Sequence, residues 1–422
     1  MGASMMKFKF LHAADIHLDS PLRGLSRYEG VPVDQVREAT RTALDNLIDL
    51  AVAQGVAFVV IAGDLYDGRW DDMATGLYFC RAMRRLNDAG IEAYIVLGNH
   101  DAASQQTLRL PLPGNVHLFS HKAPETIVHA ATGTALHGQS YERPDTREDL
   151  SSGYPAAVAE VLNIGVLHTA LTGRPPHDDY APAHPEGLAA KGYHYWALGH
   201  VHAHEIVSDD PYIVFPGNLQ GRHIRECGPK GAVLVTVEND HVVDVEHVAL
   251  DAVRWADLAV EVSGCETVAD VDARVHQVLV EAHRSQAAGR PLIARVTLTG
   301  TTALHGLLAQ RLPLLRDEVR VHAANVAEDL WIEKVRLATQ SIEAADGQAA
   351  PDDLAALLGE GETSVELHAA LQSDFALLLS RVPPDLGEDS EIIGAARAGA
   401  LTPLLARAAA ALQARLEEGG VE

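Results

Sequence analysis

The chain has few cysteines, no long apolar segment and a shortage of basic residues. Its 422 residues contain only 3 cysteines, Cys80, Cys227 and Cys265. An odd number of widely spaced cysteines argues against a disulfide framework and favours a reducing compartment, so we expect a cytoplasmic protein. No apolar run approaches the roughly 20 residues that cross a bilayer, and the first residues lack the pattern of a signal peptide. We therefore expect no association with a membrane.

The shortage of basic residues bears on the partners of the protein. Lys and Arg number 33 against 58 Asp and Glu, which gives a net charge of −25. A protein that grips nucleic acid through phosphates alone is usually basic. The composition therefore disfavours a free-standing DNA-binding protein. It remains compatible with a nuclease if DNA meets a local basic patch, bound metal ions or a partner subunit.

Strand-like and helix-like segments alternate along most of the sequence. Hydrophobic residues make up 47% of the chain, and its length predicts two or three domains. Short continuous apolar runs, typical of buried strands, predict an α/β fold at residues 6–250, namely a two-sheet sandwich flanked by helices. We expect a small α+β domain at residues 251–343 and a helical region at residues 351–422. Helices are predicted at residues 33–54, 72–89, 268–287 and 303–312.

Five groups of polar residues each follow a strand-like run in the first half of the chain. Because open α/β sheets build their sites at the carboxyl ends of the strands, these side chains should meet at one edge. Carboxylate, imidazole and amide ligands together suit manganese, iron or zinc better than calcium or magnesium. The groups are Asp15-Ile16-His17, Gly63-Asp64-Leu65-Tyr66-Asp67, Gly98-Asn99-His100-Asp101, His168 and Gly199-His200-Val201-His202.

The number of ligands is sufficient for two metal ions. Two ions about 3.5–4 Å apart can hold a phosphate ester and a bridging hydroxide that attacks it. Asp64 is the candidate bridging carboxylate. Asp15 and His17 are two residues apart, a spacing that places both side chains on one face of a strand, where they can share one ion. The remaining candidate ligands are Asn99, His168, His200 and His202.

His100 lies beside a candidate ligand but suits another role. A phosphate ester expels a poor leaving group, and a positioned imidazolium can protonate it, an effect worth roughly 10²–10⁴-fold in rate. Asp67 and Asp101 are candidates for orienting imidazoles, because histidines at metal sites usually donate to such a partner. Arg222 and Arg225 are interpreted either as contacts to a nucleic-acid backbone or as surface partners of nearby acids such as Glu226.

The order of these motifs resembles that of the calcineurin-like metallophosphoesterases. Within that family, the stretch from Phe10 to Leu18 and the stretch from Gly199 to His202 resemble the SbcD-type DNA repair exonucleases. The nearest likeness is to the YhaO-like branch, which the stretch from Phe215 to Arg222 also resembles. The resemblance covers about residues 7–235. Residues 251–343 resemble the small capping domain of the family only in their order of elements and their position.

The resemblance implies a function and a set of roles. It implies a metal-dependent DNA nuclease with manganese as the working metal, iron or zinc being alternatives, and with His100 as the proton donor. It also implies an SbcC-like coiled-coil ATPase as partner, for which the C-terminal helices are the candidate docking region, and a homodimer as the expected assembly. By motif, Asp15, His17, Asp64 and His202 would hold the first ion, and Asp64, Asn99, His168 and His200 the second.

Two other functions compete with this one. The same dimetal site could serve a nucleotide or cyclic-nucleotide phosphodiesterase or phosphatase, which the acidic charge favours. The appended domains favour the nuclease, because enzymes of small esters need no such addition. A regulatory or scaffolding subunit of an ATPase complex is the third hypothesis, and the presence of His100 argues against it, because a purely structural metal site needs no proton donor.

Overall fold

The computed structural model describes residues 6–20, 38–67, 73–102, 111–172 and 180–342, with scattered residues between 368 and 409. Within these, fifteen strands lie in three sheets. In chain order the strands are β1 Lys7–Ala13, β2 Phe58–Ala62, β3 Glu92–Val96, β4 Val116–Leu118, β5 Glu125–Val128, β6 Ala135–Gly138, β7 Asn163–His168, β8 Tyr195–Gly199, β9 Glu205–Asp209, β10 Tyr212–Phe215, β11 Gly231–Glu238, β12 His241–Ala249, β13 Arg254–Glu261, β14 Leu292–Thr301 and β15 Leu330–Gln340.

Eight α-helices accompany these strands in the described part of the chain. The one beginning at Ala39 ends at Gly55, whose left-handed conformation (φ 58°) lets the backbone turn away. A 3₁₀-helix lies at Leu150–Gly153. The α-helices are α1 Ala39–Gln54, α2 Ala74–Asp88, α3 Asn99–Ala102, α4 Pro185–Ala189, α5 Val268–Gln286, α6 His305–Gln310, α7 Leu312–Val326 and α8 Glu391–Arg397.

Two six-stranded sheets make up the first part of the fold. One has the order β12-β11-β1-β2-β3-β4 and the other the order β5-β6-β7-β8-β10-β9. The neighbours β1 to β4 run parallel, as do β6, β7, β8 and β10, whereas β11, β12, β5 and β9 are antiparallel to their neighbours. The predicted two-sheet α/β sandwich is confirmed.

The strands next to the site are apolar on both faces, and each face packs against a different layer. In β2, Phe58 and Val60 point into the core between the sheets, where they pack with residues such as Ile164 of β7. Val59 and Ile61 point the other way, into a core that also holds buried residues of α1 and α2. Since side chains alternate along a strand, a continuous apolar run is what two buried faces require.

The chain divides into two compact units that interleave along the sequence. One holds Met1–Asp257, Glu281–Arg295 and Ala327–Glu333, and the other holds Leu258–Val280, Val296–Val326 and Lys334–Glu422. The third sheet has the order β13-β14-β15. The division into three domains at residues 6–250, 251–343 and 351–422 stays a prediction, and most of residues 351–422 lie outside the described residues.

Two elements differ from the expectations. The predicted helix at residues 303–312 is instead the short α6, and a second helix, α7, follows it from Leu312. Pro313 is the second residue of α7, a position that tolerates proline because the first N–H groups of a helix have no partner within it. Residues 33–37 and 72 of two predicted helices lie outside the described residues.

Candidate metal centre

The polar motifs converge at the carboxyl ends of the parallel strands, on sharply turned backbone. Four of the candidate ligands have a left-handed conformation that is uncommon for residues other than glycine, and such strain clusters at functional sites. The φ angles are 51° at Asp15, 45° at His17, 52° at Asp64 and 98° at His200.

Backbone hydrogen bonds between the loops after β1 and β2 hold this conformation in place. The N–H of Asp15 donates to the carbonyl of Gly63 at 3.0 Å, and that of His17 donates to the carbonyl of Asp64 at 3.0 Å. The side chain of Asp15 also accepts the backbone N–H of His200, at 3.0 Å from Oδ2. The first, second and last motifs are therefore tied together before any ligand binds.

Glycine is required where these loops approach one another. A Cβ at Gly98 would lie 2.3 Å from Oδ1 of Asp64, and one at Gly199 would lie 1.9 Å from the carbonyl oxygen of Ala62. Neither position has room for a side chain. The glycines of the third and last motifs thus let the strand ends come close enough for their neighbours to form one site.

One group of potential ligand atoms comes from Asp15, His17 and His202. These atoms lie within 4.8 Å of one another. The Nε2 atoms of His17 and His202 are 3.3 Å apart, and Nε2 of His202 is 3.7 Å from Oδ1 of Asp15. Asp15 and His17 are each only 1% exposed. The predicted pair, which lies in the turn after β1, and the last histidine motif therefore do meet.

A second group comes from Asp64, Asn99 and His168. Nε2 of His168 lies 3.5 Å from Oδ2 of Asp64 and 3.0 Å from Oδ1 of Asn99. Ligand atoms of Asp15, Asp64 and His168 also lie within 4.8 Å of one another. Asp64 is 3.8 Å from Nε2 of His17 in the first group. Its carboxylate therefore lies between the two groups, where a bridging ligand is needed.

The hydrogen bond of His168 shows which of its two ring nitrogens can bind a metal ion. Nδ1 of His168 is 2.9 Å from the carbonyl oxygen of Ala62, which can only accept, so Nδ1 carries the proton. Burial lowers the pKa of His168 to about 4, so its imidazole is neutral and Nε2 is unprotonated. Nε2 then faces the oxygens of Asp64 and Asn99 with no proton to share. A cation among them would satisfy all three atoms.

The buried carboxylates lead to the same conclusion. Burial raises the pKa of Asp15 well above its usual value, and the charge of Asp64 raises it further. Burial likewise raises the pKa of Asp64. Ionising both Asp15 and Asp64, which are buried and close together, costs free energy unless a positive charge compensates them. The donor set therefore fits divalent metal ions, and its mixture of nitrogen and oxygen atoms fits a transition metal.

His100 lies at the exposed rim of the group, on α3. Its side chain is 41% exposed, and its Nδ1 is 3.2 Å from Oδ1 of Asp67. Burial lowers the pKa of His100, but the hydrogen bond to Asp67 and the charges of Asp64 and Asp67 outweigh that effect and raise it. Asp67 also lies 3.5 Å from Nδ1 of His17. Asp67 therefore contacts two imidazoles, those of His17 and His100.

Asp101 has a different role from the expected one. Its carboxylate accepts the backbone N–H groups of Leu65, Tyr66 and Gly98, each at 3.1 Å. Burial raises the pKa of Asp101 to about 7. Its contacts are thus with backbone rather than with an imidazole, because the turn after β2 brings two N–H groups to it and the loop after β3 brings the third. Asp101 stabilises the loops that carry Asp64 and Asn99.

The two candidate substrate-binding arginines differ in their surroundings. The Arg222 guanidinium, 14% exposed, lies 3.5 Å from Oδ1 of Asp67 and 3.6 Å from Oε1 of Glu226. Arg225 is exposed. Lys230, close by in sequence, is buried and donates to the carbonyl of His202 at 2.6 Å. Arg222 therefore lies beside two acids of the site, Asp67 and Glu226.

Glu226 is the residue of the site that sequence reasoning missed. Its Oε1 is 2.7 Å from Nδ1 of His202, while Oε2 accepts from Asn218 at 2.9 Å and from the N–H of Arg222 at 2.6 Å. It is 6% exposed. The one sequence signal is that Glu226 is the only acid between residues 217 and 230. Sequence analysis predicts for it only a surface ion pair with Arg222 or Arg225.

Comparisons with known proteins assign the family. The sequence matches the family described as calcineurin-like phosphoesterase over residues 8–204 and the middle domain of metallophosphoesterase YhaO over residues 255–340. It is 33% identical over 296 residues to the uncharacterized metallophosphoesterase YhaO of Bacillus subtilis (strain 168), which covers 69% of this chain and 72% of that protein. The chain belongs to the calcineurin-like metallophosphoesterases, which are dimetal phosphoesterases.

More distant relatives carry a DNA repair name. The chain is 24% identical over 430 residues to the DNA double-strand break repair protein Mre11 of Methanopyrus kandleri, across 91% of this chain and 86% of that protein. It is 25% identical over 276 residues to the Mre11 of Haloferax volcanii, across 65% of this chain and 59% of that protein. Within the described residues, no helix is long and apolar enough to cross a membrane.

Proposed function

We propose that the protein is a metal-dependent DNA nuclease of the SbcD type that hydrolyses phosphodiester bonds and works with an SbcC-like coiled-coil ATPase in DNA repair. The observation that carries the proposal is the convergence of unprotonated nitrogens and buried carboxylates beside a more exposed histidine, His100. That arrangement combines metal ligands with a proton donor that solvent and substrate can reach. The similarity to proteins named for double-strand break repair supports DNA as the substrate.

The order of the motifs, together with the two groups of ligand atoms around Asp64, supports one assignment of the ligands. Asp15, His17, Asp64 and His202 would hold one ion, and Asp64, Asn99, His168 and His200 the other. Manganese is proposed as the working metal because the resemblance to the family implies it, and the mixed nitrogen and oxygen donors suit manganese, iron and zinc alike. When bound, the two ions would supply Lewis acidity and a nucleophile at neutral pH.

The residues of the chain itself account for the remaining steps. His100 would hold a proton and deliver it to the leaving sugar oxygen, and Asp67 would keep its Nδ1–H directed inward at 3.2 Å. Nε2 of His100 would then be the atom that donates the proton to the substrate. Arg222 and the exposed Arg225 would contact the phosphates that flank the scissile bond. Glu226 would fix the ring of His202, and Asp101 would fix the loops beneath Asp64.

A second candidate function has one observation in its favour. The net charge of −25 opposes the approach of a long polyanion, whereas a single nucleotide would feel it less. The alternative is therefore a nucleotide or cyclic-nucleotide phosphodiesterase or phosphatase with the same site and the same roles for His100 and the ligands.

Substrate selection separates the two candidates. The wild-type protein and its Asp64→Asn variant are incubated with manganese and, separately, with end-labelled duplex DNA, single-stranded DNA, a cyclic dinucleotide and a nucleoside monophosphate. We expect shortening of DNA by the wild type alone, and none in the presence of chelator. Turnover of the nucleotides with intact DNA would refute the nuclease and establish the alternative.

The partner needs its own test. Affinity purification of the tagged full-length chain from its host should recover an ATPase with long heptad repeats, and ATP should change the extent of DNA cleavage in the recovered complex. Recovery of the chain without such an ATPase, together with DNA cleavage that ATP leaves unchanged, would contradict this part of the proposal.

A further inference from the structure

Ser20, in the turn after β1, contacts the carboxylate that holds the proposed proton donor. Its hydroxyl donates to Oδ2 of Asp67 at 2.8 Å. The other oxygen of that carboxylate, Oδ1, lies 3.2 Å from Nδ1 of His100. Ser20 is only 3% exposed, so solvent has little access to this contact. Ser20 is therefore joined to His100 through one intervening side chain, although the three residues belong to three different loops.

The carboxylate of Asp67 has several neighbours on one of its oxygens. Nδ1 of His100 and, at 3.5 Å, Nδ1 of His17 both face Oδ1. The guanidinium of Arg222 lies 3.5 Å from the same oxygen. The terminal torsion of an aspartate has a broad range, so a carboxylate without a further contact can rotate among such partners. The hydrogen bond from Ser20 fixes Oδ2, and it thereby keeps Oδ1 directed at the imidazoles.

The backbone of Ser20 is itself held in place. Its N–H donates to the carbonyl of His17 at 2.9 Å, which closes the turn after β1. The N–H of Leu18 donates to the carbonyl of Leu65 at 2.9 Å, so this turn runs beside the one that carries Asp67. The hydroxyl of Ser20 thus reaches Asp67 from a backbone that other hydrogen bonds fix.

The preceding residue, Asp19, anchors the turn to two helices. Its N–H donates to the hydroxyl of Thr40 at 3.0 Å, and its Oδ1 lies 2.6 Å from Nε of Arg41, both in α1. Its Oδ2 accepts from the hydroxyl of Thr75, in α2, at 2.6 Å. These contacts hold Asp19 in a left-handed conformation with a φ of 63°, which is uncommon for a residue other than glycine. Ser20 is therefore positioned by contacts that lie outside the metal ligands.

We propose that Ser20 is a positioning residue that acts through Asp67 to orient the imidazole of His100 toward the leaving oxygen. This inference rests on the proposed role of His100 as the proton donor. A general acid must lie within hydrogen-bond reach of the oxygen that it protonates, so a loosely held ring transfers its proton less often. Because Asp67 lies closer to His100 than to the ligand His17, loss of the Ser20 hydroxyl should impair proton transfer more than metal binding.

The test compares two phosphodiesters of thymidine that differ in the leaving group. The nitrophenyl ester of thymidine monophosphate releases a stable anion that needs little protonation, whereas a thymidine dinucleotide releases a sugar oxygen that needs a proton. The full-length wild type, S20A and H100N are assayed on both esters with saturating manganese. The kcat for the dinucleotide divided by that for the nitrophenyl ester should fall by about 10²–10⁴-fold in H100N. The same ratio should fall by about 10-fold in S20A.

A double variant shows whether Ser20 acts through His100. The ratio in S20A/H100N should equal that in H100N, because residues that act as one unit have effects that do not add. S20C replaces the hydroxyl with a thiol, a weaker donor, and should give an intermediate ratio even if S20A does not fold. The matched control is S151A, because Ser151 is also 3% exposed and also donates its hydroxyl to an aspartate, Asp149. S151A should keep the wild-type ratio.

The outcomes separate this proposal from the proposed function. A wild-type ratio in S20A and S20C, beside a lowered ratio in H100N, would overturn the role of Ser20 and leave the proton donor in place. An unchanged ratio in H100N itself would overturn the proton donor and the role of Ser20 with it. Equal slowing of both esters in S20A, together with a lower manganese content, would overturn the proposal by showing that Ser20 supports the metal ligands instead.

Discussion

The imidazole of His202 and the carboxylate of Glu226 are joined by a hydrogen bond of 2.7 Å between Nδ1 and Oε1. Burial raises the pKa of Glu226, but the hydrogen bond from His202 and the charge of Arg222 outweigh it, so the net shift is downward and the group is ionised. An ionised carboxylate only accepts, so Nδ1 of His202 carries a proton. Burial lowers the pKa of His202, which favours the neutral ring, and in that ring Nε2 is unprotonated where it faces Asp15 and His17.

This hydrogen bond predicts the effect of Glu226→Gln. The amide keeps the shape of the side chain but holds the His202 ring less strongly, and loss of such a partner costs about 10–100-fold in metal affinity. The concentration of manganese that gives half-maximal phosphodiester hydrolysis should rise by that factor. The control is Glu238→Gln, which affects a surface pair with Lys7. An unchanged manganese requirement in Glu226→Gln would show that the ring is held by other means.

Gly98→Ala should damage the centre by steric means alone. The new Cβ would lie 2.3 Å from Oδ1 of Asp64 and 2.9 Å from its backbone nitrogen, so the carboxylate must move. We expect lower metal content and a lower melting temperature. Gly114→Ala is the matched control, because a Cβ there has nothing within 4 Å. If Gly98→Ala bound metal like the control, the loops would be more adaptable than the contacts indicate.

His12 should make the protein sensitive to acid. Burial lowers its pKa from 6.5 to about 3, so between these values the unfolded chain binds a proton that the folded chain does not. The stability that His12 contributes is therefore complete above pH 6.5 and is lost as the pH falls toward 3. Between pH 7 and pH 5, this loss amounts to about 2 kcal/mol.

Replacing that histidine isolates its contribution. Between pH 7 and pH 5, the free energy of unfolding should fall by about 2 kcal/mol less in His12→Gln than in the wild type. This difference does not depend on the stability of the variant at pH 7. Urea titrations at both pH values, with chelator present, measure the difference. An identical fall in both proteins would mean that His12 is protonated in the folded state.

Arg222→Gln should weaken the binding of DNA uniformly across sequences. If its guanidinium contacts one phosphate, the slope of log K against log salt should decrease by about 0.9. Binding of labelled DNA to protein with calcium in place of manganese, at several salt concentrations, gives that slope. Arg320→Gln is the control, since Arg320 pairs with Asp317 on the surface of α7. Equal slopes for both variants would remove Arg222 from the substrate contacts.

The sequence predicted the strands beside the site well, for a physical reason. β2 and β3 are buried on both faces, so they are continuous apolar runs that end at a polar motif. β9 was missed because it is an edge strand with mostly partly exposed residues and no such run. The helix α7 was not predicted. It begins at Leu312, where the predicted helix ends, and Pro313 is its second residue, a position at which a helix tolerates proline.

The residues of the site could likewise be predicted only where they lie at the end of a strand. Residues such as Asp15 and His168 could be found because each lies at or just after the carboxyl end of a strand, and parallel strands end at a common edge. Glu226 follows no strand, and it reaches His202 only because the loop between β10 and β11 returns to the centre. Asp101 lies within a motif, but two of the three backbone N–H groups that it accepts come from the turn after β2. Such contacts depend on the path of loops, which spacing along the chain does not determine.

The proposed mechanism requires two metal ions and a separate proton donor, His100, to act together on DNA. The most direct test measures metal content and DNA cleavage on the same samples of the wild type and His100→Asn. We predict that both proteins hold equal amounts of manganese, while the variant cleaves end-labelled DNA about 10²–10⁴-fold more slowly. Equal rates of cleavage, or loss of manganese together with activity, would contradict the account and make His100 either dispensable or structural.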